Sequence, residues 1–187
     1  MDSTGDRILA AATAEFSQHG VAGARIERIA KTARTSKERI YAYFRSKEAL
    51  YRHVLRQELG AVAEATRMDP TDLPEYAGRI HDYFTSHPER YRLMTWGQME
   101  PAPDDDPIRD ATTYKLEKLA QAQKDGVLDP AWDPIDILIF VNQIAMSWVA
   151  LPSHVPAEQH ESFMADRRAA IVAAVERLFP AAGGSAR

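Results

Sequence analysis

The sequence predicts an all-α protein with a small helical head, a long connecting helix and a larger helical body. Apolar residues recur at three- and four-residue spacing along most of the chain. Clusters of Pro, Gly and Asp separate segments of helix length, and no alternation of apolar and polar residues flanks a hairpin turn. With 187 residues, 45% of them hydrophobic, the chain is long enough to bury a sizeable core.

Three helices are predicted in the head, residues 1–46. The first spans about 3–19 and stops at Gly20. The second and third are short and are joined by a brief turn. The apolar positions that define the three helices are, in order, Ile8, Ala12 and Phe16; Ile26, Ile29, Ala30 and Ala33; and Ile40 and Phe44. Each set falls on one helix face, so the three helices can share one core.

The body is predicted over residues 47–180. Ser46 is expected to cap a long fourth helix that ends near Thr66 and bridges head and body. Prolines and aspartates at helix starts and breaks predict further helices over about 73–86, 88–99, 107–125, 134–152 and 156–179. The chain should therefore hold nine or ten helices, and residues 181–187 should form a frayed tail.

Charge is distributed unevenly along the chain. The whole sequence carries a net −4, yet residues 25–56 hold 10 basic and 3 acidic residues, a net +7. A basic block on an acidic chain favours contact with a polyanion at one end of the molecule. A solvated basic surface explains the same count.

Residues 25–47 have the pattern of a helix-turn-helix, whose second short helix enters the major groove of DNA. At 100° per residue, the apolar side of that helix holds Ile40 and Phe44, and the opposite side holds Glu38, Arg39 and Ala42, with Tyr41 and Tyr43 at the margins. An ordinary amphipathic helix explains the apolar stripe, but not the tyrosines and basic groups crowded between Lys37 and Lys47. A guanidinium group can bond guanine, and phenols can reach phosphate.

A set of residues over about 7–55 is specific when taken together. Its members are Arg7, Ile8, Phe16, Gly20, Ile29, Ala30, Ala33, Ser36, Lys37, the run Ile-Tyr-Ala-Tyr-Phe at 40–44 and the run Ser-Lys-Glu-Ala-Leu at 46–50. In these residues the chain resembles the DNA-binding head of the tetracycline-repressor-like (TetR) family. The resemblance implies an all-helical homodimer, a small-molecule pocket in the body and repression that the ligand relieves. It also implies DNA contacts from Lys37, Arg39, Tyr41 and Tyr43, and a phosphate contact from Lys47.

Three positions depart from the family pattern. Ala24 and Arg25 stand where Thr or Ser often opens the second helix, although Arg25 still supplies a cation. Arg34 and Thr35 replace a Gly-Val turn. Glu38 replaces a common Gly, and its carboxylate either accepts from a cytosine amine or, as we favour, caps its own helix as Thr35-x-x-Glu38. The expected DNA-binding set is Arg25, Thr35, Ser36, Lys37, Arg39, Tyr41, Tyr43 and Lys47.

Aromatic and methionine side chains gather between residues 76 and 99, and two amides interrupt the apolar segment that begins at Pro134. Such a stripe is more often core than pocket, but the family resemblance favours a pocket for an apolar or aromatic effector, oriented by a few polar groups. The expected ligand-binding set is Tyr76, Tyr83, Met94, Trp96, Met99, Asn142, Gln143 and Met146.

The last two helices are candidates for a subunit interface. The helix that begins at Pro134 is apolar nearly all round, so it must be covered on every side. Small residues in the final helix permit close approach of a neighbour. Together they predict a four-helix homodimer interface, as the resemblance implies; a core within one monomer is the alternative.

Other function classes are not favoured by the sequence. The chain has no cysteine, its six histidines show no metal-ligand spacing, and it has no Gly-rich phosphate loop or nucleophile elbow. We therefore expect no enzyme activity, cofactor or metal. The N-terminus lacks a signal peptide and no segment has the character of a membrane span, so a cytoplasmic protein without a membrane partner is expected. The alternatives are an architectural DNA binder without a ligand or a helical enzyme.

Overall fold

The computed structural model describes residues 3–99, 107–149 and 160–180. These residues form nine α-helices and no strand, which confirms the predicted fold class. The helices are α1 (Thr4–Gly23), α2 (Ile26–Thr32), α3 (Lys37–Phe44), α4 (Lys47–Thr66), α5 (Leu73–Ser86), α6 (Pro88–Met99), α7 (Pro107–Lys124), α8 (Pro134–Met146) and α9 (His160–Leu178).

The first helix begins as predicted and is broken at Gly20. Ser3 caps it in a reciprocal capping box with Asp6, each side chain accepting from the other's backbone N–H. Gly20 interrupts the helix with a positive φ of 62°, and the chain then resumes a helical course to Gly23. The predicted stop at Gly20 is confirmed as a break in the helix, and a short helical stretch to Gly23 follows it.

The predicted end of α8 near Pro152 was also wrong. The helix begins at the expected Asp133-Pro134 signal, and the Asp133 side chain accepts from the N–H of Ile135. It ends at Met146 because the backbone N–H of Ser147 bonds the carbonyl of Ile144, three residues back. The predicted start of the last helix at residue 156 and the predicted tail at 181–187 lie outside the described residues.

Two compact units make up the described chain. One is drawn from Met1–Ala61 and Glu89–Arg109, and the other from Val62–Pro88 and Asp110–Arg187. The predicted boundary between residues 46 and 47 divides a DNA-binding head from a ligand-binding and dimerisation body. This functional boundary stays a prediction. Three helices, α4, α6 and α7, contribute residues to both units.

The first unit has one apolar core to which α6 contributes. Its fully buried members include Phe16, Ile40 and Leu50 from the first four helices and Leu93 from α6. The Tyr51 hydroxyl donates to the carbonyl of Leu93 over 3.2 Å. The ring of Trp96 lies against the α1 break, so close to Gly20 that a Cβ there would stand 3.0 Å from it.

In the second unit, α5 packs against α8 and α9. The Arg168 guanidinium of α9 donates to the carboxylates of Glu75 over 2.9 Å and Asp82 over 2.7 Å, both in α5. The same guanidinium crosses α5 at Gly78, where a Cβ would stand 2.8 Å from it. The glycine therefore permits close approach of α9. None of the helices in the described stretches is both long enough and apolar enough to cross a bilayer.

Candidate nucleic-acid interface

The turn between α2 and α3 is closed by backbone hydrogen bonds. The Thr35 N–H donates to the carbonyl of Ala30 over 3.0 Å, and the Arg34 N–H donates to that of Lys31. Arg34 has a φ of 52°, in the left-handed region that favours glycine. An arginine thus occupies the strained position of the turn, with its side chain exposed on the surface of the helix-turn-helix.

The N-cap of α3 is Ser36, so the predicted capping box between Thr35 and Glu38 was wrong. The Ser36 Oγ accepts from the N–H of Arg39 over 3.2 Å. The backbone N–H of Thr35 bonds the carbonyl of Ala30 in the turn, so the helix is capped one residue later, at Ser36. Bonds from the Glu38 backbone N–H and the Ser36 hydroxyl lower the pKa of the Glu38 carboxyl, so this carboxylate still stabilises the first turn of the helix.

The third helix has two chemically different faces. Ile40 is fully buried, and Phe44 is half-buried against the ring of His53. The other face is exposed, including Tyr41 at 39% and Tyr43 at 55%. The residues of this helix on the solvent side are Lys37, Glu38, Arg39, Tyr41, Ala42 and Tyr43. This is the division that the 100° periodicity predicted.

An open groove of about 390 Å³ lies beside the exposed face of α3. Its lining residues come from the starts of α2 and α4 and from the end of α3; they are Ala24, Arg25, Ile26, Glu27, Tyr41, Arg45, Ser46, Lys47 and Glu48. Three of these residues are cationic and two are acidic. Phenol, hydroxyl and cationic groups together form a surface that can bind a phosphate backbone.

Two groups of the predicted DNA-binding set already have partners within the protein. The Lys37 ammonium donates to the Glu27 carboxylate over 2.8 Å, which raises the pKa of Lys37 and lowers that of Glu27. The Lys47 ammonium donates to the carbonyl of Ala24 over 3.3 Å. The first bond joins the start of α2 to α3. The second joins the connection before α2 to the start of α4.

Glu15 of α1 fixes the start of α2. Its carboxylate accepts from the backbone N–H of Arg25 over 2.9 Å and from the Arg28 guanidinium over 2.7 Å. Burial raises the pKa of Glu15, but the bonds from Arg28 and Arg25 outweigh burial and leave this pKa lowered. Arg25 is the N-cap residue and has no side-chain cap bond. Glu15 bonds the backbone N–H of this residue, the donor that an N3 carboxylate bonds in a capping box.

The structure adds two cations that the sequence reasoning missed. Arg45 lines the groove and, like Arg34, has a positive φ, here 62° at the C-terminal end of α3. The α4 start is as predicted, with Ser46 accepting from the N–H of Ala49 over 3.0 Å. Arg34 and Arg45 lie in the connections before and after α3. Both add to the positive net charge of residues 25–56, but helix periodicity assigns faces only to residues within a helix, so it did not place these two on the surface.

The predicted ligand-binding residues do not all fall in one compact unit. Met94 and Trp96 belong to the first unit, where both are half-buried in its packing. Tyr76, Tyr83, Asn142, Gln143 and Met146 belong to the second unit. Tyr76 is fully buried and accepts a bond of 2.9 Å from Lys115. The Met99 side chain lies outside the described residues.

The two amides of α8 differ in their surroundings. Asn142 is half-buried, whereas Gln143 is exposed. The reason is that one side of α8 stays exposed in the described part of the chain: Ile135, Ile139 and Phe140 are 40%, 47% and 41% exposed. In the described stretches, no three His, Asp or Glu side chains group closely enough to hold a metal ion.

Comparison with known proteins agrees with these features. The family model for bacterial regulatory proteins of the tetR family matches residues 8–54, and the model for the tetracyclin repressor-like C-terminal domain matches residues 72–177. The transcriptional repressor SCO4008 of Streptomyces coelicolor is 36% identical over 155 residues, which are 81% of each chain. The structure described as the transcriptional regulator SCO4942 of the same organism is 53% identical, with a TM-score of 0.80 over 95% of this chain and 99% of that one. A TetR-family structure from Shewanella sp. PV-4, 18% identical, shares the fold with a TM-score of 0.75 over 96% of this chain and 99% of that one.

Proposed function

This chain belongs to the TetR family of bacterial regulatory proteins, a family of DNA-binding regulators and not of enzymes, and from that premise we propose how it acts. It binds an inverted-repeat operator as a homodimer, represses transcription in the cytoplasm and leaves the operator when a small apolar or aromatic effector binds. The observation that carries the proposal is the exposed outer face of α3 beside a groove that carries Arg25, Arg45 and Lys47.

Two kinds of DNA contact are proposed for this surface. Arg39 reads a base edge, since its exposed guanidinium makes no hydrogen bond or ion pair with the described residues. Lys47 and Arg25 bind phosphates from the groove, and Tyr41 and Tyr43 donate to phosphates from the margins of α3. Thr35 and Ser36 lie at the start of the helix, where recognition helices approach DNA.

The exposed side of α8 supports the homodimer. Ile135, Ile139 and Phe140 lie on the surface of a helix whose other side is buried in the second unit. An apolar stripe of this kind on a single chain marks a protein interface. A second copy that supplies the same stripe gives a two-fold symmetric contact, and the operator must then be an inverted repeat.

Effector release is proposed to act through helices shared by both units. Helix α4 begins at the groove with Lys47 and ends at Thr66 in the second unit. An effector held by residues among Tyr76, Tyr83, Met94, Trp96, Met99, Asn142, Gln143 and Met146 weakens DNA binding only if it prefers a different shape of the protein. A coupling of about 1–3 kcal/mol suffices for a usable switch.

Sequencing the genomic DNA fragments that the purified protein retains tests the operator proposal. We expect one or a few fragments that share an inverted repeat, with protection of both half-sites on one face of the duplex. Affinity for that repeat should fall steeply with salt as phosphate contacts release counterions. Equal retention of all fragments at every salt concentration contradicts specific binding and leaves an architectural DNA binder as the function.

A further inference from the structure

The second unit buries a histidine with one ring nitrogen unpaired. His81 of α5 is 1% exposed, and its Nδ1 lies 3.3 Å from the carbonyl oxygen of Ala145 in α8. Because a carbonyl oxygen only accepts, Nδ1 carries the proton in this bond. When the ring carries only this proton, Nε2 is a lone-pair acceptor. Nε2 is closed off from solvent and has no hydrogen-bond partner among the described residues.

A second unpaired polar atom lies one helical turn further along α5. The Oγ1 of Thr85 is also closed off from solvent and has no hydrogen-bond partner in the part of the chain that the structure describes. Other helical hydroxyls of the described chain donate to the carbonyl four residues back, namely Thr13, Ser17, Thr66 and Thr95. Thr85 does not use this arrangement, so its hydroxyl remains available to another group.

One chemical group can satisfy both atoms. Residues four apart on a helix lie about 5–6 Å from each other at their Cβ atoms, so the two side chains share one face of α5. A hydroxyl oxygen accepts from the Thr85 O–H and donates its own proton to His81 Nε2. A ketone, an ether or a carboxylate has no proton to donate, and each leaves Nε2 unpaired.

We propose that His81 and Thr85 form the polar recognition site for an alcohol or phenol, and that this hydroxyl compound is the effector. The inference rests on the proposed function and narrows its effector class from apolar molecules in general to those with one hydroxyl. Both atoms are closed off, so the effector reaches them only when the packing around α5 loosens. Binding therefore selects a changed shape of the second unit, which is the property that an effector needs.

Two variants and two pairs of simple probes test the site. Thr85→Val removes the hydroxyl at nearly constant shape. His81→Asn keeps an N–H donor in place of Nδ1 for the Ala145 carbonyl but removes Nε2. The matched probe pairs are cyclohexanol with cyclohexanone and phenol with anisole, and the readouts are Tm shift and calorimetric Kd on the full chain.

We expect both hydroxyl probes to raise the Tm of the wild type and their ketone and ether partners to fail. Each variant should weaken binding of the hydroxyl probes by about tenfold or more, since it leaves one hydroxyl bond unmade. Without any probe, Thr85→Val should leave the Tm unchanged or raised, because it removes an unpaired buried hydroxyl.

Three results overturn the site. The first is equal binding of cyclohexanone or anisole, and the second is no Tm shift with either hydroxyl probe. The third is a lowered Tm of Thr85→Val without a probe, because this indicates that a trapped water already bonds Thr85. Operator binding by the same proteins separates this inference from the proposed function. Wild-type operator affinity together with any of the three results overturns the hydroxyl site alone, whereas loss of specific DNA binding in the wild type overturns the proposed function.

Discussion

Lys37 of α3 and Glu27 of α2 form an ion pair across the helix-turn-helix, with Nζ and Oε1 2.8 Å apart. Both side chains are exposed, and the pair lies beside the groove that Glu27 lines. A DNA phosphate that approaches this surface competes with Glu27 for the ammonium group. With the proposed DNA contact by Lys37, the pair therefore opposes DNA binding.

Glu27→Gln should increase affinity for every DNA duplex. The change removes a negative charge beside the phosphates and releases Lys37, so the logarithmic dependence of affinity on salt should steepen by about one. Fluorescence anisotropy across a salt series measures both effects. Glu64→Gln removes an exposed carboxylate outside the helix-turn-helix and is the control. An unchanged salt slope in Glu27→Gln contradicts a phosphate contact by Lys37.

Arg39 and Lys47 should differ in the kind of binding that they lose. Arg39→Ala should cost about 1–3 kcal/mol on the operator and relax the preference at one base pair. Lys47→Ala should weaken all sequences alike and reduce the salt slope by about one. Selection of binding sites from random duplexes distinguishes the two variants. Full wild-type sequence preference in Arg39→Ala refutes its assignment to a base.

Gly20 should be far less tolerant of substitution than Gly60 or Gly126. Gly20→Ala places a side chain at a φ of 62° and 3.0 Å from Trp96, so it should lower the free energy of unfolding by about 2–4 kcal/mol. Gly60→Ala meets nothing within 4 Å in α4 and should raise it by about 0.5–1 kcal/mol. Gly126→Ala shares the positive φ but has open space, and it should fall between them. Urea unfolding compares the three, and equal stability of Gly20→Ala and Gly126→Ala excludes a packing role for Trp96.

Local sequence signals predicted most of the helices. The bounds of α5 and α6 match the prediction because Pro74 and Pro88 mark helix starts that depend on a few neighbouring residues. The cap of α3 did not follow from the same kind of signal. Thr35 and Ser36 are both suitable cap residues, and the backbone bond from Thr35 to Ala30 decides between them. That bond depends on how the turn closes, which propensity does not specify.

The candidate site was predictable where it depends on helix faces and not where it depends on distant contacts. The exposed face of α3 follows from a period of 3.6 residues. The attachment of Glu15 to Arg25 and Arg28 joins residues ten and thirteen apart, and no local pattern contains it. Trp96 shows the same limit: its aromatic character suggested a pocket, but its position against Gly20 follows from the packing of α6 on α1.

The attachment of α2 by Glu15 should make stability depend on acid pH. The pKa of this carboxyl is lowered from its ordinary value of 4.5, so its contribution is present above about pH 4.5 and is lost as pH falls through the lower, folded pKa. Glu15→Gln should cost about 1 kcal/mol at pH 7, and the difference from the wild type should shrink below pH 4.5. Chemical unfolding at pH 7 and pH 3.5 measures it, with Glu64→Gln as control. A difference that does not change with pH excludes the charged bonds as its source.

Disruption of the exposed α8 stripe should separate the subunits and remove operator binding without touching α3. Ile139 is 47% exposed within one chain and lies between Ile135 and Phe140 in the stripe, so a symmetric partner would bury it. Ile139→Asp would bury an unpaired carboxylate in each half of that contact, which costs several kcal/mol, and each 1.4 kcal/mol changes a dissociation constant about tenfold. We therefore expect the dimer to weaken by about 100-fold or more in light scattering, while circular dichroism stays that of a folded helical protein. Gln57→Asp places the same charge on an exposed position of α4 and should leave the mass unchanged.

Because one head contacts one half-site, the separated subunits should lose protection of the inverted repeat but keep weak, salt-sensitive binding to any duplex. A variant that remains dimeric at micromolar concentration places the subunit contact on another surface, and the operator symmetry would then have to follow from that surface instead.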